Sequence, residues 1–582
     1  AEFTPEAQDQ LDYFLFCLKQ RGIYFSFPLN AWGFFKAGDV TDVPEFRGRA
    51  FRFESNGLLP ISADLQRWFK AYATRLLGHI NRYTGLALKD EPALLSIELT
   101  NENALLSVLG QYPELVPIYR RLCGEGLRTA LGHEPTAEEV EKALPGYVLE
   151  LQEKFFHEMQ RFLREAGVRQ PLTDLNFRDN MVYALPRSQL DYVDIHAYWA
   201  LYKTLPGAKT GHEALYRQTW QNPNTIGWGY YLGPVPARLF AKPYVNTEFN
   251  GCYATPYWSF TGPVEAVLAA TQGWNAVHRC GLAADAGRFF KATPIRQIGT
   301  SASPVMMLSE RIGAALFAEG EVPPLPVRVP FVVTPEYLRS HADSQAGPKY
   351  PPSYARLAFA YQLGTVLLDG TEKLDGFPCF VAPEGMALPA SLAGRKVLRA
   401  DAQLAKHLEK ALAGVPQPDT PRLQLDAGTG AGQIVTPRSE TLLLPAEAGE
   451  ARGRSVRIAG NDSVSVCFVG SLDGRELAAA ERILALYLTD VKNTGTEVEY
   501  EARQNVVVRN SGSLPLLVRQ GKITVSLPLA AERPLPEVWA LKYDGSRAVQ
   551  ITPRRTPEGY TFDAQAVTNS ETFSAFEIVW SK

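Results

Sequence analysis

The sequence has no CxxC pair. Its six cysteines, Cys17, Cys123, Cys252, Cys280, Cys379 and Cys467, are scattered singly, which argues against a structural zinc site. Its eight histidines form no HExxH or other metal spacing. No apolar run reaches the roughly 18 residues of a membrane span, and no signal-peptide pattern opens the chain. Neither sign of charge dominates: 59 Lys and Arg stand against 62 Asp and Glu, a net −3. Nucleic acid and anionic membrane are therefore not expected partners. Glycine-rich phosphate loops are missing too. The GTGAG at 428–432 sits in a β-rich stretch and reads as a turn.

What is present begins with length. At 582 residues the chain exceeds one core, and two or three domains are expected. Aromatics are plentiful, with 9 Trp, 25 Tyr and 29 Phe. Residues 5–21 predict an amphipathic helix, with Leu11, Phe14, Leu15 and Leu18 on one face and Gly22 as the stop. IYFSFPLN (23–30) predicts a buried strand and 63–83 a long helix. Strands are predicted at 94–102, 168–176, 190–199 and 242–250, with helices at 147–167, 265–280 and 305–317. Alternating strands and helices over some 300 residues indicate βαβ units and a parallel sheet. A (β/α)₈ TIM barrel fits, with its site at the strand C-terminal ends. A doubly wound sheet is the structural alternative, but its phosphate loop is not evident.

Composition breaks at EGEVPPLPVRVP (319–330), a linker signal. The expected organisation is a barrel over 1–320, a mixed α/β part over 321–425 and a β-sandwich over 426–582. Helices are expected at 353–363 and 402–413, and after the SLDG turn within 471–495.

Two strands end in carboxylates. In IELTNEN (97–103), Glu98, Thr100 and Glu102 share one parity. In YVNTEFN (244–250), Glu248 is the last inward position, with aromatics crowded around it. Two carboxyls at the ends of two barrel strands can flank one glycosidic bond, one donating a proton and the other attacking the sugar carbon. The acid should be kept protonated by burial and by its charged neighbour. Between them, in YVDIHAYW (192–199), Asp194, His196 and Tyr198 share a parity. The bland alternatives stay open: a solvated strand end for Glu102 and a satisfied core residue for His196. Trp32, Trp199, Tyr202, Trp228, Tyr230, Trp258 and Trp274 lie near strand ends or in adjoining elements. Each offers a ring for stacking on a sugar or for loop packing, and Trp199 and Trp258 follow the motifs most closely.

These residues carry a resemblance. Asn101-Glu102 resembles the Asn-Glu pair of clan A glycoside hydrolases, whose Glu is the acid/base. Glu248 in VNTEFN is similar to the clan's seventh-strand nucleophile, and HAYW resembles its sixth-strand His-x-Tyr. LDYFLFCLKQRGIYFSFPLN and HINRYTGLALKDEPALLSIELTNEN resemble family 5 cellulase-like enzymes, and the likeness covers roughly 5–320. It implies a retaining hydrolase of β-linked glycans in which Asn101 bonds the 2-hydroxyl, needing no metal or cofactor. It also implies secretion or a periplasmic address. Asn30 stands where related enzymes commonly carry His. In such a barrel 11–21 would be the second helix, so an upstream segment is expected to complete the barrel. The glycan is the expected partner, and a homo-oligomer stays open. The rival readings are a degenerate barrel that binds glycan without cutting it and an assembly protein.

Overall fold

The computed structural model describes residues 3–31, 35–39, 41–52, 54–205, 215–226, 228–283, 286–343, 347–415, 423–568 and 571–580. Its first half is built on parallel strands in chain order. β1 (Phe25–Asn30), β2 (Leu94–Thr100) and β3 (Leu172–Thr173) form one parallel set. β4 (Val193–Trp199), β7 (Tyr244–Gly251) and β8 (Ala276–Arg279) form another. The sets are joined where Asp191 N–H donates to the Leu172 carbonyl at 3.0 Å and Thr173 Oγ1 to the Tyr192 carbonyl at 3.0 Å. β5 (Lys203–Thr204) and β6 (Tyr216–Thr219) lie on the excursion between β4 and β7. The described residues thus show two three-stranded parallel sets, bridged by these two hydrogen bonds and not closed into a ring.

Helices pack against these strands because their apolar stripes match the sheet's outward parity. Ile97 and Leu99 of β2 are fully buried in the same core as Phe69, Ala73 and Leu76 of helix Ala63–Gly78. That helix starts at a Ser62 cap and stops at Gly78, short of the expected residue 83. Helix Trp258–Gln272 is buried all round. The strand expected over 168–176 is reduced to Leu172–Thr173, and β8 was not anticipated.

Beyond the linker, Arg328–Val333, Gln362–Leu367, Phe380–Ala382 and Val397–Arg399 form a parallel four-stranded sheet. The helix expected over 353–363 is only Pro352–Ala355 and a 3₁₀ turn, and the strand from Gln362 follows. Helix Leu404–Ala411 lies within the expected 402–413. Residues 423–579 build an antiparallel eight-stranded and a five-stranded sheet, and residues 427–431 turn between two of the strands. In place of the helix expected within 471–495 there is the strand Arg482–Leu488. Ile483, Ala485 and Tyr487 face the core shared with the five-stranded sheet, while Leu486 and Leu488 face the main core. A strand buried on both faces has no polar alternation, so its apolar run cannot be told from a buried helix by pattern.

The two halves interlock. Asn505–Asn510 pairs with β6, joining residues 497–510 to the β5–β6 hairpin in one sheet. Among the described residues, no helix is long and apolar enough to cross a membrane.

Candidate active site

Glu102, His196, Tyr198 and Glu248 meet at the C-terminal ends of β2, β4 and β7, where parallel α/β strands present their sites. Glu102 follows β2 rather than ending it, with a left-handed φ of 54°. Its N–H donates to Asn176 Oδ1 at 2.7 Å, which holds that turn. Asn176 is fully buried, and its Nδ2 donates to Asn101 Oδ1 at 3.1 Å and to Glu98. Asn101 is further pinned through its backbone: its N–H donates to the Asn30 carbonyl, and its carbonyl accepts from Asn56.

β4 delivers His196 and Tyr198 by simple alternation. The His196 side chain is 1% exposed, and Nδ1 lies 3.1 Å from Glu102 Oε1 and 3.4 Å from Glu248 Oε2. Tyr198 Oη donates to Glu248 Oε2 at 2.5 Å. β7 departs from alternation. Ile195 pairs with Asn246 but His196 pairs with Glu248, so Thr247 is an extra residue. Such a bulge re-aims side chains, and consecutive residues Thr247 and Glu248 both reach His196. Asp194 satisfies the bulge. Its Oδ1 accepts the Thr247 N–H at 3.1 Å, and its Oδ2 accepts the Thr247 hydroxyl at 2.6 Å.

The electrostatics are dominated by acids. Burial, then the nearby Asp194, Asp174, Glu248 and Glu102 charges, push Glu98 well above the usual carboxylate range. Burial raises Asp174 well above it and Asp194 less strongly, the latter countered by His196 and the Thr247 bonds. His196 is raised: burial opposes its charged form, but the Glu102 bond and the Asp194 and Glu248 charges outweigh it. Cys280, at the end of β8, touches Tyr198 and Glu248, and burial first of all pushes its thiol up to about 11.

Two predicted stacking platforms are corrected. Trp199 is 8% exposed and packs on Tyr230; the parity that turns His196 and Tyr198 inward turns Trp199 outward. Trp258 is 2% exposed in the first turn of its buried helix, edge-on to Tyr253. Neither ring has a free face for a sugar. Tyr230 and Trp274 are likewise buried. Trp32 and the Trp228 side chain lie outside the described residues. Tyr202 does line a cleft of about 400 Å³ beside Cys280, with Arg296, Gln297 and Ser301. Asn30 is buried, and its described contact with the site is the carbonyl that holds Asn101.

Asn176, Thr247 and Cys280 were missed. Asn176 was the last residue of the strand expected over 168–176 and lies instead past the end of Leu172–Thr173, and the bulge breaks the parity that would have singled out Thr247. Cys280 follows the unanticipated β8.

Donor atoms of Glu102, His196 and Glu248 all lie within 4.8 Å of one another. Chemically, this nitrogen and two carboxylate oxygens can hold a cation, or they can place an acid and a nucleophile around one bond.

The sequence matches no protein-family model and no curated protein. Similar solved structures include a glycoside hydrolase family 5 mannosidase from Rhizomucor miehei, at 10% identity and a TM-score of 0.29, covering 48% of this chain and 65% of that one. An endo-1,4-β-D-mannanase from Thermotoga petrophila has 14% identity and a TM-score of 0.30, covering 52% and 80%. An α-L-fucosidase from Paenibacillus thiaminolyticus has 10% identity and a TM-score of 0.35, covering 98% and 90%.

Proposed function

We propose that this chain is a retaining glycoside hydrolase of β-linked poly- or oligosaccharides, with Glu102 as acid/base and Glu248 as nucleophile. The observation that carries this reading is the convergence of the two carboxylates on one imidazole nitrogen, Glu102 Oε1 at 3.1 Å and Glu248 Oε2 at 3.4 Å from His196 Nδ1. Retaining enzymes hold their carboxyls about 5–5.5 Å apart, and inverting ones leave about 6.5–9.5 Å for a water. Glu102 protonates the leaving oxygen while Glu248 attacks the anomeric carbon. Water then opens the glycosyl-enzyme, giving its proton to Glu102. Tyr198 orients the nucleophile, and Asn101 bonds the 2-hydroxyl. In this reading residues 1–320 are catalytic, 321–425 a mixed α/β part and 426–582 a β-sandwich accessory. A secreted or periplasmic address suits a polysaccharidase.

The test is reducing-sugar release from β-glucans, mannans, xylans, galactans and aryl glycosides, beside a Glu248→Gln control. Release that vanishes in the control supports the reading, and NMR of the first-formed anomer decides retention. Silence across the panel with measurable glycan affinity selects a binding protein instead.

A further inference from the structure

The Thr247 bulge does more than re-aim Glu248. His196 Nε2 lies 3.2 Å from Thr247 Oγ1, and the same oxygen lies 2.6 Å from Asp194 Oδ2. A hydroxyl has one proton to give. Asp194 Oδ1 already accepts two backbone N–H groups, from Ile195 at 2.7 Å and Thr247 at 3.1 Å. Burial raises Asp194, but the nearby His196 and these bonds act against it, and an oxygen that accepts two N–H groups suits the carboxylate form. A carboxylate takes the hydroxyl proton, so Thr247 Oγ1 meets His196 with a lone pair, and Nε2 must bring an N–H. A partner on one ring nitrogen sets the state of the other.

We propose that Asp194 and Thr247 are positioning residues that keep a proton on His196 Nε2, leaving Nδ1 as the nitrogen that gains and loses the site's mobile proton. Nδ1 is the nitrogen that faces both Glu102 and Glu248. With Nδ1 protonated, the imidazolium bonds carboxylates. With Nδ1 bare, it accepts from a protonated Glu102. Passing between these states, one N–H bond breaks as one O–H bond forms, and no net charge enters or leaves. The groups around the ring are Glu102 after β2, Asp194 on its own strand, and Glu248 from β7; Tyr198 and Cys280 lie beyond Glu248. Glu98 of β2 lies near Asp194. The catalytic use of this proton rests on the glycosidase reading; its location does not.

The experiment is ¹⁵N NMR of histidine-labelled full-length protein across pH, with His196 assigned by its loss in His196→Gln. The expected neutral state has a protonated Nε2 and a bare Nδ1. Thr247→Val should redistribute the proton toward Nδ1 and displace the titration midpoint, and Thr247→Ser should restore the wild-type spectrum. Should Thr247→Val fail to fold, Asp194→Asn offers an amide donor to Thr247 and should reverse the tautomer. A neutral Nδ1–H tautomer in the wild-type protein, or a folded Thr247→Val with unchanged His196 signals, overturns the proposal. On any substrate found, Thr247→Val should move a limb of the kcat pH profile. A lower kcat on an unmoved profile means a merely structural role and overturns the proposal. Absence of turnover with the expected spectra leaves the tautomer assignment standing and rejects the hydrolase reading alone.

Discussion

Tyr198 donates a 2.5 Å hydrogen bond to Glu248 Oε2, linking the C-terminal end of β4 to the carboxylate of β7. A hydrogen bond to a charged group is worth about 1.5–3 kcal/mol, or roughly 10- to 100-fold in rate if it orients the nucleophile in the transition state. Tyr198→Phe should lower kcat by about that factor with KM little changed. Steady-state kinetics on a substrate found in the panel checks it; an effect confined to KM assigns Tyr198 to ground-state binding.

Asn176 joins Glu98, Asn101 and the Glu102 backbone through one buried amide. Asn176→Ala leaves these groups unpaired and should cost about 1–3 kcal/mol of stability. It should also lower kcat, because the left-handed turn at Glu102 loses its tether. Asn176→Asp should be worse, since it cannot donate to Asn101 and adds an acid beside Glu98. Denaturant melts and kinetics of both variants rank them.

Glu265 is fully buried on helix Trp258–Gln272, and burial raises it from 4.5 to about 8, opposed by the Asn246 bond and the Arg279 charge. A folded pKa above the unfolded one means stability fully present below about 4.3 and lost as pH rises toward 8, by up to about 1.4 kcal/mol per pH unit. Glu265→Gln should remove that loss. Its Tm advantage over the wild-type protein should grow between pH 5 and 8; a pH-independent difference contradicts the assignment.

Asn493 clamps the C-terminal half to the loop bordering the Cys280 cleft. Its Oδ1 accepts the Ile295 N–H at 2.9 Å, and its Nδ2 donates to the carbonyls of Ile295 at 2.9 Å and Ser511 at 2.6 Å. Its own N–H donates to Tyr253 Oη at 2.8 Å. Asn493→Ala should lower Tm and speed amide exchange in 291–298 before the rest of the chain. Uniform exchange along the chain would show that the clamp is not local.

Glu102, His196 and Glu248 also satisfy the spacing of a cation site. If they act as acid, relay and nucleophile, EDTA treatment should leave sugar release unchanged and elemental analysis should find no stoichiometric metal. Loss of activity restored by one divalent ion would reassign the site.

The sequence alone determined the parts of the site that obey local rules. Strand alternation put His196 and Tyr198 on one face, because a period of two residues is a property of the chain itself, and carboxylates near strand ends marked Glu102 and Glu248 although neither follows that period. The same alternation, followed one residue further, would have turned Trp199 away. Tertiary structure decided the rest. The bulge at Thr247 exists because Asp194 on a different strand satisfies it. Asn176 matters because three partners some 75 residues away converge on its amide. The helix that carries Trp258 and the strand Arg482–Leu488 are buried by elements distant in sequence, and burial depends on what packs against a residue rather than on the residue's own pattern.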